Sequence, residues 1–396
     1  MIIKNKMKRL FFISITFLSI QANAQGVWTQ KANFGGTARE DAVGFSIGTK
    51  GYIGTGNDGG FKQDFWEWDQ VTNIWTQKAN FGGTPRFAAV GFSIGIKGYI
   101  GTGWDVAGLK NDFWEWDQAS NTWTQKTNFG GTARKDAAGF SIGTKGYIGT
   151  GQDSNACQID FWEWDQSTDV WAQKANFSGT KRSSAVGLSI GNNGYIGLGG
   201  DASPRNDFWE WNQSSNTWTQ KINFSGFARD YAVGFSIGTT KGFIGTGQDG
   251  SYENDFWEWD QVSNVWAQKA NIGGTGRQGA VGFSIGTKGY IGTGHYSANM
   301  NDFWEYDPTG GADVEQYSFY NSITIYPNPT SGQFQVAVGS GSKYKIEIYN
   351  VLDEKVYSTI QQYNNTTIDL SKERKGIYFI RIISQQGTAT KKLIIQ

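Results

Sequence analysis

The 396 residues hold one histidine, His295, and one cysteine, Cys157, so imidazole and thiolate chemistry each have a single candidate. A Ser-His-Asp relay would hang on His295 alone. Histidine-cluster metals, multi-thiolate zinc or iron–sulfur sites and a disulfide framework are excluded by the same counts. No catalytic group, metal or cofactor is therefore expected. Six arginines recur at near-constant spacing, Arg39, Arg86, Arg134, Arg182, Arg229 and Arg277. One arginine per unit most economically ties a loop carbonyl or a neighbouring carboxylate. Glu67, Glu115, Glu163, Glu210, Glu258 and Glu305 occur in matching number, so a repeated Arg–Glu or Lys–Glu pair is expected. Aromatic and polar side chains of the variable loops are better candidates for recognition: Trp104, Asp105, Tyr231, Tyr252, His295 and Tyr296. Their aromatic faces and polar tips suit stacking on, and hydrogen bonding to, a sugar or peptide. Asp58, Asp105, Asp153, Asp201 and Asp249 recur at one position, as turn caps or, in a competing reading, as calcium ligands.

These residues are set in a repeat. From Trp28 to Asn73 the chain reads WTQKANFGGTAREDAVGFSIGTKGYIGTGNDGGFKQDFWEWDQVTN, and the opening tryptophan returns at Trp75, Trp123, Trp171, Trp218 and Trp266. Each copy divides at turn signals into four strand-like pieces: a (DAVGFSIG), b (KGYIGTG), c (DFWEWDQ) and d (WTQKANF). Four strands in a repeat of 40–50 residues mark a β-propeller blade. Within strand a, Ala42, Gly44, Ser46 and Gly48 face one way and Val43, Phe45 and Ile47 the other. Small against large, rather than polar against apolar, lets one blade receive the bulky face of the next. Pieces a, b and c occur six times, ending at Asp307, but no tryptophan-bearing d piece follows them. The orphan d piece stands at the front, at Trp28, so six blades are expected, with the N-terminal strand closing the last. The FWEW tryptophans are expected in the core, not as a sugar platform.

The a–b and c–d turns are nearly constant, whereas the b–c loops differ in every copy: NDGGFKQ, WDVAGLKN, QDSNACQI, DASPRN, QDGSYEN and HYSANMN. The d–a loops vary just after the arginine: Glu40-Asp41, Phe87-Ala88, Lys135-Asp136, Ser183-Ser184, Asp230-Tyr231 and Gln278-Gly279. In an up-and-down blade both variable sets fall at one end of the ring, and variable loops on a rigid scaffold are where recognition resides.

Composition agrees with an all-β chain. Glycine supplies 55 residues, about twice its usual share of roughly 7%, which leaves no long window for a helix. The 18 Trp, 17 Tyr and 26 Phe exclude disorder. Formal charge is zero overall, but residues 25–317 carry −8 and no basic stripe, which argues against nucleic-acid binding. Lys4, Lys6, Lys8 and Arg9 precede an apolar run from Leu10 to Ile20 and then Ala22-Asn23-Ala24. That is the pattern of a cleaved secretory signal over 1–24, too short to anchor the mature chain in a membrane.

The repeat resembles the Kelch motif: an arginine before strand a, Tyr52-Ile53-Gly54-Thr55-Gly56 ending strand b, Trp68-Asp69 ending strand c, and Trp75 seven residues later. It departs at the familiar Gly-Gly doublet, which is Gly-Thr-Gly in five copies and Gly-Leu-Gly-Gly at 197–200. The resemblance implies that the arginine ring borders a face where similar propellers contact acidic or hydroxylated ligands. Similar propellers also include a copper galactose oxidase and a sialic-acid epimerase. The oxidase chemistry needs histidine ligands and a crosslinked Cys–Tyr that this chain poorly supplies. A cofactor-free epimerase or lyase, with arginine and a carboxylate or tyrosine carrying protons, is the rival reading.

After Asp307 the repeat stops, and Pro308-Thr309-Gly310-Gly311 opens a polar linker over 309–321. Seven short strands are expected near 322–326, 333–338, 344–350, 355–360, 366–370, 376–383 and 388–395, a small Ig-like β-sandwich. Tyr326-Pro327-Asn328-Pro329-Thr330-Ser331-Gly332, Ile346–Asn350, Lys375-Gly376-Ile377-Tyr378-Phe379 and the terminal Lys391–Gln396 resemble the type A C-terminal sorting domain of the type IX secretion system. That resemblance implies passage across an outer membrane through the secretion machinery. The expectation is a secreted or cell-surface six-bladed Kelch-like propeller (25–308) with a sorting domain (322–396), binding a glycan or protein. A purely structural surface component is the second rival.

Overall fold

The computed structural model describes residues 25–310, 323–338, 344–352, 354–361, 365–384 and 387–396. The expected signal segment and nearly all of the expected linker lie outside the described residues. Every regular element described is a strand, and among the described residues no helix is long and apolar enough to cross a membrane.

Six four-stranded antiparallel sheets carry the repeat. The first runs Val43–Ile47, Lys50–Gly54, Phe65–Asp69 and Ile74–Gln77, the a, b, c and d strands in sequence order. Gly48 turns the chain from a to b with φ of 58°, a left-handed conformation that glycine adopts without Cβ strain. The sixth sheet is composite: Val281–Ile285, Lys288–Gly292 and Phe303–Asp307 are completed by Val27–Gln30 from the other end of the chain. In that pairing Trp28 lies opposite Tyr306 and Thr29 opposite Glu305. The a strands meet one another in order around the ring, including sixth against first.

The small-against-large pattern of strand a becomes the seam between blades. A side chain added at Gly98 would overlap the Phe45 ring of the preceding blade. Phe92 sits likewise on Gly146, Phe140 on Gly194, Phe235 on Gly289 and Phe283 on Gly51. At the fourth seam Leu188 replaces the phenylalanine, and a Cβ at Gly242 would meet it at 3.6 Å, an ordinary contact. Overpacking costs about 1–3 kcal/mol. Gly98→Ala is therefore expected to destabilise by about that much and Gly242→Ala to be nearly neutral. Equal shifts in the two urea midpoints would contradict this account of the seams.

A second seam device is polar. Tyr52 donates its hydroxyl to Glu67 at 2.7 Å and accepts from Gln118 of the next blade at 2.7 Å. The same inter-blade bond joins Gln166 to Tyr99, Gln213 to Tyr147, Gln261 to Tyr195 and Gln70 to Tyr290. At the remaining seam both partners are replaced together: Phe243 has no hydroxyl and Pro308 no amide side chain. That seam borders the composite blade, where the Tyr306 hydroxyl donates instead to the carbonyl of Gln25 at 3.1 Å. Trp68, Trp116, Trp164, Trp211 and Trp259 are fully buried in the cores between blades.

The C-terminal residues form two further sheets, Ile323–Tyr326, Gln333–Val338 and Asn365–Asp369 in one, and Lys355–Gln361, Tyr344–Asn350, Gly376–Ser384 and Gly387–Ile395 in the other. Phe334, Val336, Ile346, Ile348, Ile380 and Leu393 belong to one buried cluster between them. Tyr326-Pro327 and Asn328-Pro329 are cis. Asn328 donates to the carbonyl of Lys392 at 2.7 Å and accepts from the amide of Ile394 at 3.0 Å, pinning the terminal strand. Tyr378 is buried and donates to the Arg374 carbonyl at 2.6 Å.

Candidate functional site

The variable loops converge at one end of the propeller, as backbone bridges between them show: Glu40 with Asn57, Phe87 with Trp104, Lys135 with Gln152 and Gln278 with His295. Four concentric rings result. Innermost are Asp41, Ala88, Asp136, Ser184, Tyr231 and Gly279, all left-handed with φ of 51–57°. Their backbones close a ring of six hydrogen bonds, each amide donating to the carbonyl of the preceding blade's residue, from Asp41 to Gly279 at 2.8 Å round to Gly279 to Tyr231 at 3.2 Å. The second ring is Glu40, Phe87, Lys135, Ser183, Asp230 and Gln278; the third is Asn57, Trp104, Gln152, Gly200, Gln248 and His295. Phe61, Leu109, Cys157, Pro204, Tyr252 and Asn299 lie outermost.

The six arginines lie beneath these rings and are fully buried, so none is available to a ligand. Arg39 shows why. It donates to both oxygens of Asp64 at 2.6 and 2.8 Å, to the carbonyls of Thr55 and Thr37, and lies 4.9 Å over the Phe34 ring. Arg86, Arg134, Arg182, Arg229 and Arg277 pair likewise with Asp112, Asp160, Asp207, Asp255 and Asp302. The expected Arg–Glu pair is thus corrected to Arg–Asp. Five of the six glutamates instead hold the inter-blade tyrosines, Glu258 lying opposite Phe243, and Lys–Glu pairs do form, as at Lys174–Glu163, 3.3 Å. Burial pushes up the carboxyls of Asp64, Asp112, Asp207 and Asp302, but the arginine hydrogen bonds outweigh it and hold them below the usual range.

Asp105 also leaves the candidate set, being 2% exposed. Its carboxylate accepts from Thr84 Oγ1 at 2.6 Å, the Ala107 amide at 2.7 Å and Lys110 Nζ at 2.8 Å. Burial raises its pKa, yet these donors bring it down to about 2. The equivalent Asp58, Asp153, Asp201 and Asp249 accept from loop amides in the same capping manner. Among the described residues no group of three or more His, Cys, Asp or Glu side chains is placed to hold a metal ion.

The other sequence candidates do not share one pocket. Tyr252, His295 and Tyr296 come together on the loops of the fifth and sixth blades, with Tyr252 5.5 Å from Tyr296 and 6.3 Å from His295. His295 Nδ1 shares a 2.9 Å hydrogen bond with Asn299 Oδ1, which braces the imidazole. Trp104 lies on the second blade in an aromatic run, Phe61 to Phe87 at 5.0 Å and Phe87 to Trp104 at 6.2 Å. Lys135 Nζ lies 4.9 Å over the Trp104 ring. Between the loops of the second and third blades, Trp104, Leu109, Thr132, Lys135, Gln152 and Asn155 help to line a cleft of about 800 Å³.

Tyr231 stands alone at the axis, where Asp41, Asp136 and Tyr231 alternate with the small Ala88, Ser184 and Gly279 around a cavity of about 170 Å³. Burial raises the Asp41 carboxyl well above its ordinary value, and the charges of Asp136 and Glu40 add to that; burial raises Asp136 too. A raised carboxyl pKa contributes most stability below the unfolded value of about 3.9, and that contribution is lost as pH rises through the folded value. Asp41→Asn is accordingly expected to melt higher than the parent at pH 7, with the gap closing towards pH 3. A parent that melts higher at pH 7 would contradict this placement. Composition did not single out Phe61, Phe87, Lys135, Asp41 or Asp136; the signal available was the change of residue type just after each arginine and, for Phe61, within the b–c loop.

No curated protein matches the chain. Among solved structures the chain is similar to one titled "Structure of YjhT", with a TM-score of 0.59 and 15% identity over 70% of this chain and 95% of that one, a likeness of fold. Residues 324–396 match the family described as "Secretion system C-terminal sorting domain". The chain thus ends in a sorting domain of type IX secretion, which directs it to the cell surface or the extracellular space.

Proposed function

We propose that this chain is an exported recognition protein: a Kelch-type propeller whose loop face binds a glycan or protein, delivered by a sorting domain whose motif is Pro327, Asn328, Pro329, Gly376 and Tyr378, after removal of a signal peptide over 1–24. One observation carries the reading. Side chains repeat from blade to blade through the cores and the arginine ring, and the repetition ends at the loop face, where exposed aromatic and polar groups gather. Repeated residues serve the scaffold, so a specific ligand has to be read by those that do not repeat. The test is a screen of the full chain against glycan and cell-surface protein arrays. Saturable binding to a ligand class is expected, and a folded chain that binds neither array would contradict it. A second reading, a cofactor-free sugar-active enzyme, draws on the raised Asp41 and Asp136 carboxyls beside Tyr231, since perturbed acids cluster at proton-transfer sites. Turnover of a sugar that is lost in Asp136→Asn would favour it.

A further inference from the structure

Resting on that reading, we propose that the cleft between the second and third blades is a carbohydrate subsite, taking a pyranose ring against Trp104 with its hydroxyl or carboxylate groups on Lys135, Gln152 and Asn155.

The floor is built rather than incidental. The loop of the second blade folds back as Trp104–Asp105 against Gly108–Leu109, one residue pair more than the single bridge that closes each of the other five b–c loops. The buried Asp105 locks its base through Thr84, Ala107 and Lys110. The Trp104 backbone is held a second time by exchange of both hydrogen bonds with Phe87, at 3.0 and 3.1 Å. The backbone that carries the indole is thus paired on both sides and the ring stacks on Phe87 at 6.2 Å, which preorganises it for a ligand. It is nevertheless 39% exposed, in a chain whose FWEW tryptophans are enclosed or half-enclosed.

The walls set the ligand class. Gln152, Ser154 and Asn155 are exposed amide and hydroxyl groups along one side. The carboxylate in that wall, Asp153, is consumed by Thr132 Oγ1 at 3.1 Å and by the amides of Asn155 and Ala156 at 2.8 and 2.9 Å. The cation in the cleft is Lys135, which rests on the indole and lies 3.5 Å from Asp136. A cation–π contact at an exposed site is weak, so the flexible lysine can lift from the ring and donate to a ligand oxygen. An aromatic face, neutral hydrogen-bonding groups and one mobile ammonium suit a pyranose, whose C–H face is apolar and whose rim is hydroxylated. A cationic ligand would meet Lys135, and a wholly apolar one would strand the amides. The volume of about 800 Å³ lies within the roughly 300–1,000 Å³ usual for ligand clefts.

The test titrates the full chain with cellohexaose and with a tetragalacturonate, the two arms separating a neutral from an acidic pyranose. At least one is expected to bind saturably. Trp104→Ala should weaken it about tenfold or more and Trp104→Phe much less. Lys135→Met should weaken the galacturonate more than the glucan. Val71→Asp, on a c–d turn at the opposite end of the ring, should leave both unchanged. Asn155→Ala provides an independent reduction if Trp104→Ala does not fold. Binding of neither saccharide, or saccharide binding indifferent to Trp104 and Asn155, overturns the subsite. If either result comes with a protein ligand from the array screen, or with loss in Tyr296→Ala on the other aromatic cluster, the loop-face reading survives and the cleft assignment alone falls.

Discussion

Removing residues 25–34 is expected to abolish the cooperative melting of the propeller or to lower its midpoint by more than 10 °C. The segment supplies the outer strand of the sixth blade, and its register against Phe303–Asp307 runs from Val27 opposite Asp307 to Gln30 opposite Trp304. Trp28 packs 5.0 Å from both Phe256 and Tyr306 and donates its indole N–H to the Ala270 carbonyl at 2.9 Å. Gln25 accepts from the Ala270 amide and from Tyr306, so the fifth and sixth blades are both tied to the N-terminus. Burying a tryptophan of roughly 200 Å² at about 25 cal/mol per Å² contributes about 5 kcal/mol as an upper bound. The ladder hydrogen bonds and the Lys31–Glu305 pair at 3.2 Å are lost with it. Phe303–Asp307 would also become an exposed edge, prone to pairing between molecules. Differential scanning calorimetry of the truncated and full chains checks this, and an unchanged transition would mean that the N-terminal strand does not hold the ring closed.

Arg134→Met should cost about 3–5 kcal/mol, the usual penalty for stranding one partner of a buried ion pair. The guanidinium is fully enclosed, donates to both oxygens of Asp160 at 2.5 and 2.8 Å, and also reaches the Thr150 and Thr132 carbonyls and the Thr132 hydroxyl. Its removal leaves the Asp160 carboxylate without its cation and frees two loop carbonyls. Because the arginine supports the rings above it, hydrogen exchange should quicken first around Thr132 and Thr150. Pairing the change with Asp160→Leu removes the orphan charge and should recover part of the loss. A single substitution costing under about 1 kcal/mol in urea denaturation would show that the arginine ring is dispensable.

Much of the scaffold was legible because it repeats. Six copies of a, b and c with an orphan Trp28 lead to the strand order that Val27–Gln30 and Phe303–Asp307 adopt. The alternation of Gly44 with Phe45 already contains the blade seam, since a large side chain needs a bare position on its neighbour. The partner of the arginines was not legible. Asp64 and Glu67 both occur once per blade, and only the register, which sets Glu67 opposite Tyr52, sends the glutamate to the tyrosine and leaves the aspartate to the arginine. The clefts were not legible either. Trp104 and Lys135 are brought into contact by neighbouring blades, and nothing in either loop alone announces the other. Asp105 stood in two sequence readings, as a recognition candidate and as one of five recurring turn caps, and it is the cap that the structure keeps.

The central claim is that recognition belongs to the loop end of the ring and to no other surface. It is tested most directly by comparing two double variants of the full chain for the ligand found in the array screens. Trp104→Ala with Tyr296→Ala strips the two aromatic clusters from the loop face, where these residues are 39% and 47% exposed. Val71→Asp with Val262→Asp changes the c–d turns at the opposite end, where the valines are 85% and 81% exposed. The account predicts at least a tenfold loss of affinity for the first pair and none for the second. The reverse, binding that survives on the stripped loop face and fails when the opposite turns are charged, would contradict it.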